Sequence, residues 1–340
     1  MTSPYPRFRL SVLRSLALLV CAGVALAPLV AQSPASGYGP GRRTLLDAHN
    51  AYPYEGRFAD RIDRGLATGL PVAIEQDLIW RAGSDGRGVS VVAHDVEHAG
   101  DAPTFETYFF ERIRPLMERA LTDNARHTWP AIVLNLDFKT TEPAHLDAVW
   151  ATLGTYEAWL TTAPRTSTPD EAEPLTAGPL LVLTGTSADQ AKRFHDAVPV
   201  GQRLRLFGAI DVPSPEGPDA PARARALAAM PPDTLIGQAA SNYRRWVNFP
   251  WGIVEAGGPP LAGDWTNADE QRLRTLVRRA HAQRLWIRFY TLNGHAPDAS
   301  QGWYDGYNFG SPSAARVRWR AAREAGVDFI ATDQYEEFGR

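Results

Sequence analysis

Eight short apolar, β-branched runs alternating with helical segments predict an α/β chain closed into a (β/α)8 TIM barrel. The strand candidates are residues 44–50, 72–80, 131–139, 180–186, 206–212, 243–248, 286–292 and 328–332, the sixth being the weakest. Helical segments fall between many of them, at 105–123, 143–160, 188–197, 267–283 and 313–325. A further run at 89–95 follows the turn Gly83-Ser84-Asp85-Gly86 and reads as the return arm of a hairpin within one loop. Two irregular stretches interrupt the alternation. Residues 161–178 follow a helix and precede a strand, so they belong on the non-catalytic face. Residues 213–233 follow a strand and belong at the catalytic end.

At 340 residues the chain is long for one domain, but barrels of this type reach that size, and 44% hydrophobic content suffices for a sizeable core. The barrel is expected over residues 44–340. Before it, Arg7, Arg9 and Arg14 precede an apolar run from Leu16 to about Val30 and then small residues, the pattern of a secretory signal peptide over residues 1–31. A flexible Gly/Pro-rich lead at 32–43 follows. The run is short and Ala/Gly-rich for a membrane span. The single cysteine, Cys21, lies inside it, and Val20 is bulky where lipoprotein processing wants a small residue. Simple cleavage is therefore expected, giving a secreted or periplasmic protein without disulfides. The formal charge is −3, and without the three signal arginines 32 basic side chains face 38 acidic ones. Such a balance does not favour polyanions, so no nucleic-acid partner is expected.

Two stretches carry the chemistry. Ile74-Glu75-Gln76-Asp77-Leu78 and Leu134-Asn135-Leu136-Asp137-Phe138-Lys139 each place charges two residues apart inside an apolar run. Residues i and i+2 of a strand share a face, so Glu75 joins Asp77 and Asp137 joins Lys139. Three carboxylates and a lysine on otherwise buried strands are costly unless they meet a metal or an anion. His49 ends the first run and His94 the hairpin return, so the candidates converge on the C-terminal rim where barrel catalytic groups sit. Asp47 shares the face of His49 deeper in the barrel, without an evident partner. The chain contains two lysines among 35 basic residues, Lys139 and Lys192. In so Arg-biased a sequence, an inward lysine suggests a need for a compact point charge.

The series His49-Asn50, Glu75-x-Asp77, His94-Asp95 and Asp137-x-Lys139 resembles the phospholipase-C-like phosphodiesterase superfamily, most closely its glycerophosphodiester phosphodiesterase and sphingomyelinase D branches. Residues 326–333 and 286–293 are similar to that family's last and seventh strands. The resemblance implies His49 and His94 as general acid and base, and Glu75, Asp77 and Asp137 as ligands of one divalent cation, Mg²⁺ or Ca²⁺. It further implies Lys139 as a phosphate contact, with Asn50, Tyr290 and Asn293 as further substrate-binding residues. The implied substrate is a small phosphodiester or a phospholipid headgroup, reached by transient membrane-surface contact and without an obligate protein partner. Asn50 stands where glycerophosphodiesterases usually carry arginine, and Tyr290-Thr291-Leu292-Asn293 lies where the family has a tryptophan. Two rivals are a metal-independent phosphoinositide-type lyase and a non-catalytic barrel that binds a phosphorylated ligand. A glycoside hydrolase using Glu75 and Asp77 fits poorly, since neighbours on one strand do not flank a sugar bond.

Elsewhere, His98, His127, His145, His195 and His281 read as surface or packing residues. Trp246, Phe249 and Trp251 read as core rather than as lipid contacts, Asp333 as a loop cap at the rim rather than as a site contact, and the loop 293–307 either as a lid or substrate platform or as an ordinary packed loop.

Overall fold

The computed structural model describes Met1 and residues 39–54, 57–69, 72–83, 87–123, 132–296 and 305–339. The chain divides into Met1–Pro34 and Ala35–Arg340, and the second unit contains the architecture that follows. The signal segment apart from Met1, Cys21, His127, most of the lead and residues 84–86 of the hairpin turn lie outside the described residues.

Nine strands position the site: β1 (Leu45–Ala48), β2 (Val72–Ala82), β3 (Gly88–Val92), β4 (Ile132–Phe138), β5 (Leu180–Thr184), β6 (Phe207–Ala209), β7 (Arg244–Pro250), β8 (Trp286–Tyr290) and β9 (Phe329–Thr332). Eight of them run parallel in the order β1-β9-β8-β7-β6-β5-β4-β2, and β1 also pairs with β2, which closes the barrel. The ninth, β3, lies antiparallel along the end of β2, as the hairpin reading expects. The weakest strand candidate is a full barrel stave, extended to Pro250.

Strand parity decides what fills the barrel. Outward residues such as Ile74, Leu134, Leu136 and Val247 pack with helix residues Leu146, Val149, Leu273 and Leu276. The inward positions nearest the strand starts are apolar: Leu45, Ala73, Val133, Trp246, Trp286 and Phe329. Two residues on, the same faces carry Asp47, Glu75, Asn135, Asn248 and Arg288, and two further on His49, Asp77, Asp137 and Asp333. The interior thus changes from hydrocarbon to charge along the barrel axis, which fixes the chemically active end.

The outer layer comprises α1 (Arg61–Ala67), α2 (Glu111–Asp123), α3 (Pro143–Thr155), α4 (Ala188–Ala191), α5 (Ala220–Ala229), α6 (Pro232–Leu235), α7 (Asn267–Ala282), α8 (Pro312–Ala325) and α9 (Tyr335–Phe338). Three predicted helices are interrupted. A π turn at Glu106–Phe110 precedes α2, another at Lys192–Asp196 follows α4, and a 3-10 turn at Glu157–Trp159 follows α3. The stretch 213–233, expected to be irregular, contains α5. Its start is capped by Asp219, whose carboxylate accepts from Ala222 N at 2.7 Å, and a first-turn proline and an alanine-rich run continue it. Residues 161–178 lie at the N-terminal ends of the strands as expected. Asn242, just before β7, pins them by accepting from Thr166 N and donating to Pro164 O. Trp246, Phe249 and Trp251 are buried core.

The hairpin that carries His94 is tied down by a polar chain that runs through the buried His145. Ser90 on β3 bonds His145 Nε2 at 2.9 Å, His145 Nδ1 meets Thr140 Oγ1 at 2.9 Å, and Thr140 Oγ1 accepts from Trp80 N at 2.8 Å. Burial pushes the His145 imidazole down to about 4 from its ordinary 6.5, with the Thr140 carbonyl and Glu142 offsetting only part. A histidine with a depressed folded pKa takes up protons first in the unfolded chain, so stability is greatest above pH 6.5 and falls as pH drops towards 4. At about 1.4 kcal/mol per pKa unit this amounts to about 3 kcal/mol. Urea unfolding should show wild type losing roughly that much more than His145→Gln between pH 7 and pH 4. Equal losses would contradict the buried neutral imidazole.

Candidate active site

Strand register assembles the rim. Ala48 pairs with Ile74 and with Thr332, so His49 falls level with Glu75 on one side and Asp333 on the other. Asp77 pairs directly with Asp137. The hairpin sets Val92 opposite Leu78, and Ala93 N donates to Asp77 O at 3.0 Å, so His94 returns beside Asp77. His49, Asn50, Glu75, Asp77, His94, Asp137, Lys139 and Tyr290 thereby line one cavity of about 170 Å³, joined by Asn248, Arg288 and Tyr307.

One oxygen from each of Glu75, Asp77 and Asp137 lies within 4.8 Å of the others. Lys139 Nζ donates to Asp137 Oδ2 at 2.8 Å and pairs with Asp77 Oδ2 at 3.0 Å. Burial opposes the charge on Lys139, but the two carboxylates outweigh it and hold its pKa above the ordinary value. Asp77 does not gain in proportion. Burial, then Asp137 and Glu75, push its pKa well above the carboxylate range, because one ammonium serves two anions. Both Asp77 oxygens are buried, and the groups that reach them are Lys139 and the Tyr52 hydroxyl. Glu75 fares differently: burial disfavours its charge, yet Arg288 and then His49 hold its pKa below the usual value.

His49 stands between two carboxylates, with Nδ1 3.0 Å from Asp333 Oδ1 and Nε2 3.4 Å from Glu75 Oε2. Burial works against the imidazolium, but Glu75 and Asp333 outweigh it and push His49 up to about 9. Asn50 adopts the left-handed conformation (φ +54°), which asparagine tolerates better than most residues. Its backbone N–H donates to Glu75 Oε2 at 3.2 Å and its Nδ2 to Asp333 Oδ1 at 3.0 Å. His94 is nearly half exposed, with Nδ1 2.9 Å from Asp95 Oδ1.

Two sequence expectations need correction. Asp333 is not a loop cap but the buried partner of His49, with its charge favoured by His49 and Arg61 against the cost of burial. Asn293 stands behind Asp333 instead of on the cavity wall. Its Nδ2 donates to Asp333 Oδ2 at 2.6 Å, and its Oδ1 accepts from Asp333 N at 2.8 Å. Thr291, at φ +73°, turns the chain to bring it there. A left-handed β-branched residue costs about 1–2 kcal/mol.

Arg288, Asn248 and Arg61 did not figure in the sequence reading, whereas Tyr307 belongs to the loop placed over the site. Arg288 donates from Nε to Asp47, from Nη2 to Glu75 Oε1 at 3.1 Å and from Nη1 to Asn248 Oδ1 at 3.1 Å. The inward parity Trp286-x-Arg288 was the signal that could have supplied a partner for Asp47. Tyr307 meets His49 edge-on at 5.8 Å and Tyr290 at 6.3 Å, so part of the loop 293–307 covers the site; residues 297–304 lie outside the described residues. The histidines read as packing are so where described: His145 and His195 are buried, and His281 bonds the buried Asp328 at 2.9 Å.

No family model matches the sequence, and no curated relative matches it. Among solved structures, ZgEngAGH5_4 in complex with a cellotriose aligns with 89% of this chain and 97% of its own at 11% identity, TM-score 0.42. Plasmodium falciparum HPPK-DHPS with pterin and p-hydrobenzoate aligns with 88% of this chain at 8% identity, TM-score 0.39, and the chain spans about half of its length (47%). Likeness at this level carries nothing about activity.

Because its folded pKa of about 9 exceeds the ordinary 6.5, His49 contributes stability that is complete below pH 6.5 and lost as pH rises through 9. Asp333→Asn removes one of the two anions responsible. NMR titration of the metal-free protein should show the His49 midpoint lowered by about one unit or more; an unmoved midpoint would contradict the Asp333 assignment.

Proposed function

We propose that the protein is a secreted divalent-metal-dependent phosphodiesterase, cleaving glycerophosphodiesters or phospholipid-headgroup diesters by two-histidine acid/base catalysis. The observation that carries this is the Glu75–Asp77–Asp137 cluster, in which Asp77 is buried beside two other carboxylates and shares its one ammonium with Asp137. Oxygen donors at this spacing fit a hard cation such as Mg²⁺ or Ca²⁺. Bound by these three residues, the cation supplies positive charge to phosphoryl oxygens. The match of His49, Glu75-x-Asp77, His94 and Asp137-x-Lys139 to the phospholipase-C-like pattern supports the same chemistry.

The side chains divide the remaining work. Both histidines have Nδ1 beside a carboxylate, Asp333 for His49 and Asp95 for His94. That leaves Nε2 on each as the working nitrogen, the one on His49 lying 3.4 Å from Glu75 Oε2. One imidazole takes the proton of the attacking hydroxyl or water while the other returns a proton to the leaving alkoxide. Lys139 stabilises charge gathering on the phosphoryl group. Where the substrate has a neighbouring hydroxyl, that hydroxyl can attack and leave a cyclic phosphate.

A metal-independent lyase is the second reading, favoured by one observation: Lys139 Nζ already bridges Asp77 and Asp137. Turnover of bis(4-nitrophenyl) phosphate separates the two. The proposal expects EDTA to abolish activity, Mg²⁺ or Ca²⁺ to restore it, and His49→Ala or His94→Ala to lower kcat by roughly 10²–10⁴-fold. Activity that survives EDTA removes the cation. Wild-type rates in both alanine variants would sink the mechanism, leaving a phospho-ligand-binding barrel.

A further inference from the structure

The charged layer under the carboxylates holds an ion pair that the catalytic steps above do not use. Arg288 is 2% exposed, contributes to the cavity lining and bonds Asp47, Glu75 and Asn248. Asp47 lies one layer below His49 on β1 and is 1% exposed. Directly beneath, the same two faces carry Leu45 and Trp286. An apolar pair would continue that packing, and buried ion pairs seldom outperform hydrophobic replacements in stability. A stability role therefore gives little reason for charge at this layer, whereas the contact of Nη2 with Glu75 Oε1 places a permanent cation against one member of the carboxylate cluster.

We infer that Arg288 and Asp47 form a charge-setting pair, which limits how tightly the Glu75–Asp77–Asp137 cluster holds a divalent cation and keeps the cavity floor receptive to an anionic phosphodiester. The inference rests on the proposed function and makes Arg288 a positioning and specificity-determining residue. A guanidinium stays ionised at all working pH values, so its bias is fixed. Its field opposes a bound dication and attracts a bound anion. Asp47 anchors Nε and partly cancels that field, so the two residues act with opposite sign on both affinities.

Three variants test this: Arg288→Met, Asp47→Asn and the double variant. Two readouts are used, Mn²⁺ binding without substrate by calorimetry and KM for bis(4-nitrophenyl) phosphate at saturating Mn²⁺. Arg288→Met should tighten Mn²⁺ binding by roughly tenfold or more and raise KM by a similar factor. Asp47→Asn should do the reverse, and the double variant should bring both values back towards wild type. A purely structural role weakens Mn²⁺ and substrate binding together, and that result overturns the inference. So do unshifted values in the single variants, or a double variant that fails to return. If Arg288→Met does not fold, because it leaves Asp47 buried without its cation, Asp47→Asn and the double variant decide by the same signs. Wild-type protein that binds no Mn²⁺ overturns the metal-dependent function and this inference with it. Wild-type binding with unmoved variants overturns the inference alone.

Discussion

Too many carboxylates share one end of a barrel, and the rest of the site is arranged around that constraint. Asp47, Glu75, Asp77 and Asp333 are each 5% exposed or less. Buried anions persist only with partners, and most are met one by one. Arg288 serves Asp47 and Glu75, while His49 with Arg61 serves Asp333. Asp77 shares one ammonium with Asp137. The shortfall is concentrated there, on the strand pair where register brings two carboxylates level.

The surrounding structure pays for holding these groups still. Asn50 takes a left-handed conformation to offer both its backbone N–H and its amide, and Thr291 takes a strained one that lets Asn293 clamp Asp333. The chain Ser90–His145–Thr140–Trp80 fixes the hairpin so that His94 comes back beside Asp77. The two imidazoles are oriented differently: Asp333 holds His49 from a distant strand, whereas Asp95 is the immediate neighbour of His94. Their exposures differ accordingly, one buried among fixed charges and one at the rim.

Much of this was legible in the sequence because strand parity is local. The alternation Ile74-Glu75-Gln76-Asp77 states which side chains share a face, and the strand count with its intervening helices states what that face encloses. Partners that arrive across the barrel were not legible. Arg288 lies 241 residues beyond Asp47, and nothing near either residue announces the other. Asp333 was placed at the rim of the last strand, more as a loop cap than as a site contact; closure of β9 against β1 carries it to His49. Asn293 fell one step out of place for a similar reason, since the left-handed Thr291 redirects the chain after β8. The interruption of three helices by π and 3-10 turns leaves no clear trace in residue periodicity, and the reading of 213–233 as irregular passed over the helix start that Asp219 and the proline-alanine run after it offer.

On the proposed function the under-neutralised carboxylates take a cation, and Lys139 Nζ leaves Asp77 as it binds. A crystal structure of protein soaked in Mn²⁺, with anomalous scattering recorded at the manganese edge, tests this most directly. One anomalous peak bonded to Glu75, Asp77 and Asp137 is expected, with Lys139 Nζ moved off Asp77. No peak at saturating Mn²⁺, with Lys139 still bridging Asp77 and Asp137, would contradict it.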